Sequence, residues 1–359
     1  MRRCKRCLLP ASVPGADLDA SGVCASCRRP DPEASVRAES ARVRYETDLE
    51  QTLATMRGTG ARYDALVCLS GGKDSLYLLH RLVVDYRLHV LAFTTDVDIP
   101  PVAWSNIRRT IARLAVDHLV YRPPDAFYRT LFRHLLRNQE ARGAVYTVSY
   151  VYAPLFEGDA LRTASDMGIP LVVAGYSPGQ PDPTRMEYEF PRAFIEKVDW
   201  TPPALRGAEE FGESDLARFW NATSRRSATP LPRYIAPFHA WRYDQHDIMR
   251  RVVAQGYAAN ARHASPIHSN YPINWLLMYS DLRHFGYNPY APEFADLIRS
   301  GKASRRYWAV MAPLVDRMIR NRVGPGRAVT RSLRWLGLGA NDLRITLPRG
   351  AYDPPAAGH

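Results

Sequence analysis

The sequence predicts an α/β protein: a doubly wound parallel sheet, preceded by a zinc ribbon and followed by a mostly helical C-terminal domain. Three observations carry that expectation. Apolar strand-like runs alternate with helix-period segments between Tyr63 and Gln180. The first strand passes into a helix through Ser70-Gly71-Gly72-Lys73-Asp74-Ser75. Ahead of both stand four cysteines in two Cys-x2-Cys pairs.

The cysteines come first along the chain. Cys4 and Cys7, then Cys24 and Cys27, leave sixteen residues between the pairs, which is a zinc-site spacing. Each pair offers two thiolates from one knuckle, and two knuckles close a tetrahedral sulfur site; an iron–sulfur cluster would accept the same four ligands. A closed four-cysteine zinc site is structural, because it lets residues 1–32 fold without a core of their own. Cys68 is left over, in a predicted strand, where it reads as a small buried hydrophobe. Residues 33–60 form a helical linker, with Glu39 to Arg57 as the helix.

The α/β region is placed at 61–200. Strands are expected at 63–69, 88–97 and 116–123, with a fourth opening 169–180. Helices are expected at 75–86, 102–115, 125–139 and about 153–167, the last stopping at Gly168. In such sheets ligands lie beyond the strand carboxyl ends, where strand order reverses. The loop at 70–75, Thr94-Thr95-Asp96 and Gly175 to Arg185 are therefore expected on one rim. Prolines and tryptophans break the pattern after about 200. Helical segments near 244–256, 271–285 and 291–322 then suggest a substrate or lid domain over 201–322, with a basic Gly/Pro/Arg-rich tail at 323–359.

Composition bounds the function. The 359 residues carry a net charge of +12, which points toward nucleic acid or an acidic nucleotide or phosphosugar as partner. The arginines are scattered, however, and no basic tract is interleaved with aromatics. No apolar run is long enough to span a bilayer and no secretory signal opens the chain, so no membrane partner is expected and the protein reads as cytoplasmic.

The glycine loop is neither a Walker motif, which needs G-x-x-x-x-G-K-[ST], nor the G-x-G-x-x-G dinucleotide fingerprint. Its position at a helix N-terminus suits a phosphate, although a plain turn capped by Asp74 or Ser75 would use the same residue types. Only four lysines occur among 48 cationic residues, so Lys73 hints that a compact ammonium is wanted there. Ser70 to Ser75 resembles the PP-loop of the ATP pyrophosphatase superfamily, whose members split ATP between its α and β phosphates. The resemblance implies an adenine nucleotide alpha hydrolase-like sheet, bound ATP and bridging Mg2+.

Taken with "CKRCLLP…GVCASC" and "HSNYPINWLLMYSDLRHFGYNPYAPEFADLIRSGKASR", the chain resembles the N-acetyl sugar amidotransferase family over most of its length. That resemblance implies adenylation of an amide oxygen on a small acylated, nucleotide-activated sugar. Ammonia from a separate glutaminase subunit would then displace AMP to leave an amidine. The same scaffold thiolates tRNA or small metabolites in other enzymes, which use extra cysteines. Here "GAVYTVSYVYAPLF" (143–156) has none, and Tyr271 stands where related sequences would be expected to offer one. Thiolation remains the alternative, with tRNA the less favoured partner. A non-catalytic nucleic-acid binder with a relic loop is a further reading, and the oligomeric state is open.

The resemblance assigns pyrophosphate to Ser70, Gly71, Gly72, Asp74 and Ser75, and the chemistry to Lys73, Asp74 and Asp182. Asp96 is placed to meet ribose or adenine, or else is a solvated loop aspartate. Gly175 joins the nucleotide contacts from the fourth rim loop, unless it is only a turn. Tyr176, Gln180 and Arg185 from that loop, with His268, Asn270 and Asn274, are the candidate acceptor contacts; Asn270 also reads as a helix cap.

Overall fold

A computed structural model describes residues 2–59, 62–178, 186–224, 230–269 and 271–353. Its frame is a five-stranded, wholly parallel sheet: β1 (Ala65–Cys68), β2 (Val90–Thr95), β3 (Asp117–Tyr121), β4 (Leu171–Val173) and β5 (Arg233–Ile235). The spatial order is β3-β2-β1-β4-β5. The chain thus winds outward from β1 one way, then returns to its other side, and the order reverses between β1 and β4. The loops after those two strands flank the crevice that such a reversal opens.

Strand alternation splits the core in two. Ala65 and Val67 face one layer with Leu76 and Leu79 of α2 (Lys73–His80) and Ile107 of α3 (Pro101–Leu114). Leu66 and Val172 face the other, with Ala160, Leu161, Trp200 and Trp220. A third core, remote from the sheet, joins α4 (Asp125–Arg137), α5 (Ala144–Asp166), α6 (Ile273–His284) and, further on, the helix Arg327–Leu336.

Four elements depart from the sequence expectation. β5 was not foreseen; three residues between prolines carry too little periodicity to register. Helix α5 begins at Ala144, well before 153, although Tyr146 to Tyr152 favours strand locally. Burial of that run and capping of the Ala144 and Val145 amides by the Asp281 carboxylate override the preference. The helix expected over 291–322 is two: α7 (Ala291–Arg299) and α8 (Arg305–Asn321). Gly301, at φ +73°, turns the chain, and the Ser304 hydroxyl accepts the Tyr307 amide to start α8. Within the tail, α9 (Arg327–Leu336) is regular, and Ile345–Leu347 pairs with Gln139–Glu140.

The ribbon docks on the helical layer. Ala295 and Ile298 of α7 pack against the cysteine cluster, Arg3 pairs with Asp316 of α8 at 2.9 Å, and Arg305 donates to the Lys5 carbonyl at 2.9 Å. Among the described residues no helix is long and apolar enough to cross a membrane.

Leu66, fully buried under the sheet, should be costly to truncate. Leu66→Ala is expected to lower unfolding free energy by about 3 kcal/mol in urea melts. Val310→Ala, at a site 67% exposed, should change it by less than about 0.5 kcal/mol.

Candidate functional site

The strand–turn–helix unit leaves β1 at Cys68 and turns at Gly71, whose φ of +78° lies in the left-handed region. A β-carbon there would stand 2.5 Å from the Ala103 carbonyl oxygen of α3, so only glycine fits. The Asn106 amide, one turn along α3, donates to the Gly71 carbonyl (3.1 Å) and to the His263 carbonyl (2.9 Å). The Ser75 hydroxyl folds back on the Gly72 carbonyl (3.0 Å) and lies 3.2 Å from that of Ser70. A β-carbon on Gly175 would be 3.2 Å from the Ser75 nitrogen, so the loop after β4 backs directly onto the first.

Among the described residues, the amides of Gly71, Gly72, Lys73, Asp74 and Ser75 have no acceptor. They open a helix whose dipole is positive at that end. Two buried oxygens, Thr95 Oγ1 at the end of β2 and Asn106 Oδ1 beside the loop, likewise have no partner among the described residues. The amide cradle and the Thr95 hydroxyl can donate to an anionic ligand, while the Asn106 amide oxygen can only accept, from an N–H or O–H of a polar one.

Lys73 is engaged by two neighbours. It is buried; its ammonium lies 2.5 Å from Asp74 Oδ2 and 3.0 Å from the Tyr243 hydroxyl, which itself donates to Asp74 Oδ1 at 3.1 Å. Burial works against the lysine's charge, but Asp74 and Tyr243 more than offset it and hold its pKa raised. Asp96, at the end of β2, is buried and paired with Arg122. The Tyr176 ring packs under the sheet and its hydroxyl donates to Glu157 at 2.6 Å, so it faces the core. His268 lines an open groove beside Pro272 and Trp275, while Asn274 is a half-buried residue of α6. Gln180, Asp182, Arg185 and Asn270 lie outside the described residues.

Three contributors were missed. Asn106 was legible as a polar residue on the buried face of α3, between Ala103 and Thr110. Tyr243 gave no signal: nothing in the spacing of "HAWRYDQHD" (239–247) marks a tyrosine for contact with Lys73. Glu293, in the first turn of α7, is within electrostatic reach of Lys73; burial pushes its carboxyl up to about 7 and Lys73 pulls the other way.

Cys4, Cys7, Cys24 and Cys27 come together in the ribbon, all four sulfurs within 4.8 Å of one another. A single ion with bonds of about 2.3 Å holds its ligands about 3.8 Å apart, so this set fits one tetrahedral ion. Burial pushes the Cys4 thiol up, but the amides of Cys7, Cys24 and Arg6 outweigh it and bring it to about 6. Arg299 of α7 donates to Cys7 Sγ at 3.4 Å.

No described protein family and no curated protein matches the sequence. The solved structures that the chain matches include two of low identity. The "U34-tRNA thiolase NcsA from Methanococcus maripaludis with its [4Fe-4S] cluster" is 13% identical, covers 97% of this chain and 90% of its own, and has a TM-score of 0.34. The NMN synthetase from Francisella tularensis is 10% identical, covers 86% of this chain and 97% of its own, also at 0.34.

Removing one sulfur should empty the ribbon. Cys24→Ser is expected to carry less than about one-tenth of the metal of the wild type by plasma mass spectrometry, and to melt lower. Glu293 supplies a pH signature. Its folded-state carboxyl titrates above the ordinary 4.5, so ionising it costs the folded state as pH rises from 4.5 to about 7. Glu293→Gln should therefore match the wild type below pH 4.5, gain relative stability through that window and level off above about 7 in pH-resolved urea melts.

Proposed function

We propose that the protein is an ATP pyrophosphatase-type enzyme that adenylates the amide oxygen of a small acylated acceptor, a nucleotide-activated sugar, and hands the activated carbon to ammonia. The observation that carries this reading is the unpartnered row of amides from Gly71 to Ser75, held open by a left-handed glycine that α3 allows no side chain. Such a row stabilises a departing pyrophosphate without reorganising as charge develops.

An amide carbonyl is a poor electrophile. Attack of its oxygen on the α-phosphorus breaks the α–β bond, releases pyrophosphate and turns the oxygen into a phosphate-ester leaving group. Ammonia then adds to the carbon, the bond to AMP breaks, and an amidine results. The chain's task is alignment, and no nucleophile of its own is required. Ser70 and Ser75 hydroxyls and the loop amides take the β- and γ-phosphates. Lys73 and Tyr243 position Asp74 from behind, because both Asp74 oxygens already meet donors. Both oxygens of that carboxylate are already engaged by Lys73 and Tyr243, so Mg2+ would enter with the nucleotide and would supply positive charge against its phosphates. A separate glutaminase supplies the ammonia. The four cysteines hold a structural Zn2+, favoured over an iron–sulfur cluster because sulfurs this close suit one ion rather than several irons.

Cys68 weighs against sulfur transfer. It is the one cysteine outside the ribbon, it lies 3.6 Å from the Tyr234 hydroxyl, and burial pushes its thiol up to about 12. A thiol that stays protonated cannot carry persulfide sulfur.

With ATP, Mg2+, ammonium and a panel of N-acetylated sugar nucleotides, the protein should release AMP and pyrophosphate in equal amounts, and mass spectrometry should show an amidine. ADP as the product, or sulfur incorporated from sulfide, would overturn the reading. Gly71→Ala should reduce AMP release about a hundredfold, since displacement of the loop by a fraction of an ångström misaligns the phosphates.

A further inference from the structure

A groove of about 470 Å³ opens beside α3, within the size range of small-ligand sites. Of its ten lining residues, Arg262, Arg327 and Arg331 carry positive charge and none is acidic; burial and the neighbouring Arg262 push the His268 imidazole toward its neutral form. The three arginines are exposed, and among the described residues none of them pairs with a carboxylate. This contrasts with Arg42, Arg142 and Arg233, each of which bridges two acidic groups. Asp98, whose carboxyl burial pushes up, is within electrostatic reach of Arg331 but forms no ion pair with it among the described residues. The N-terminal turn of α9 also opens into the groove, adding the positive end of a ten-residue helix. Trp275 and several prolines form the remaining wall, apolar and flat.

The groove adjoins the glycine loop. Pro100 lines it at the start of α3, and Ala103, about 5 Å further along that helix, is the residue pressed against Gly71. The 261–275 segment serves both places: the His263 carbonyl shares the Asn106 amide with Gly71, and His268 and Trp275 line the groove. A ligand seated among the arginines would have its far end at the crevice.

We propose that this groove binds the phosphate or diphosphate of the acceptor, so that the substrate is a small phosphorylated metabolite held by Arg262, Arg327 and Arg331. The inference rests on the adenylation reading for the chemistry, though not for the binding. The arginines converge on one concavity instead of forming a stripe, which suits a compact anion better than an extended polynucleotide. Forked guanidiniums match phosphate oxygens two at a time, and the indole wall suits a flat base or a sugar face.

The test titrates uridine diphosphate, which lacks adenine, into the full-length protein saturated with Mg2+ and α,β-methylene-ATP. Calorimetry is expected to show saturable binding to the wild type and at least a tenfold loss of affinity in the R327A/R331A double variant. The ATP analogue should bind both proteins equally, and Arg331→Lys should recover part of the loss. Equal binding of uridine diphosphate to variant and wild type would overturn the proposal. So would its failure to bind a wild type that takes the analogue, or arginine-dependent binding of an RNA oligomer alone. Uridine diphosphate binding without analogue binding would sink the adenylation reading and leave the groove assignment standing.

Discussion

The approach of two backbones, at Gly71 and Ala103, is the constraint on which the site depends. With the Ala103 carbonyl where a β-carbon would be, the turn after β1 is fixed in a left-handed conformation, and Asn106 ties it in place. That geometry aims the amides of the turn and of the first residues of α2 into one small volume at the carboxyl edge of the sheet. Because strand order reverses at β1, the β4 loop can back onto the same turn through Gly175. Sheet topology, helix dipole and steric exclusion act on a single point.

Charge is organised around that point in two tiers. The inner tier is self-satisfied: a buried Lys73 and the half-buried Asp74 and Tyr243 hydrogen-bond to one another. Such a closed set fixes positions more than it supplies reactivity, since each group is neutralised by its neighbours. The outer tier is open, with unmatched arginines on a groove one helical turn away. A substrate spanning both would have its anionic end held by mobile guanidiniums and its reacting end presented to rigid backbone.

What the sequence revealed follows contact range. The β1 strand, the glycine turn and the start of α2 are neighbours in the chain, so their pattern is visible in one window. The cysteine pairs are visible because metal geometry imposes a spacing. Tyr243 meets Lys73 across 170 positions, and no local pattern records that. β5 is three residues long and earns its place by pairing with β4 on one side and bridging Glu189 on the other. Helix α5 shows the converse: a β-prone run is held helical by burial and by a cap from Asp281, 137 positions away from Ala144. Tyr176 was read as facing substrate because its loop does; its ring instead follows the apolar underside of the sheet.

The ribbon's docking has a consequence for the whole molecule. Cys7 takes a hydrogen bond from Arg299, and Ala295 and Ile298 of the same helix lie against the sulfur cluster. That helix carries Glu293 in its first turn, and its carboxyl senses Lys73 beside the glycine turn. One helix therefore has its foot on the four-cysteine cluster and its head within electrostatic reach of Lys73. An ion held by the four sulfurs would brace that helix at its foot, as a keystone braces the far end of an arch.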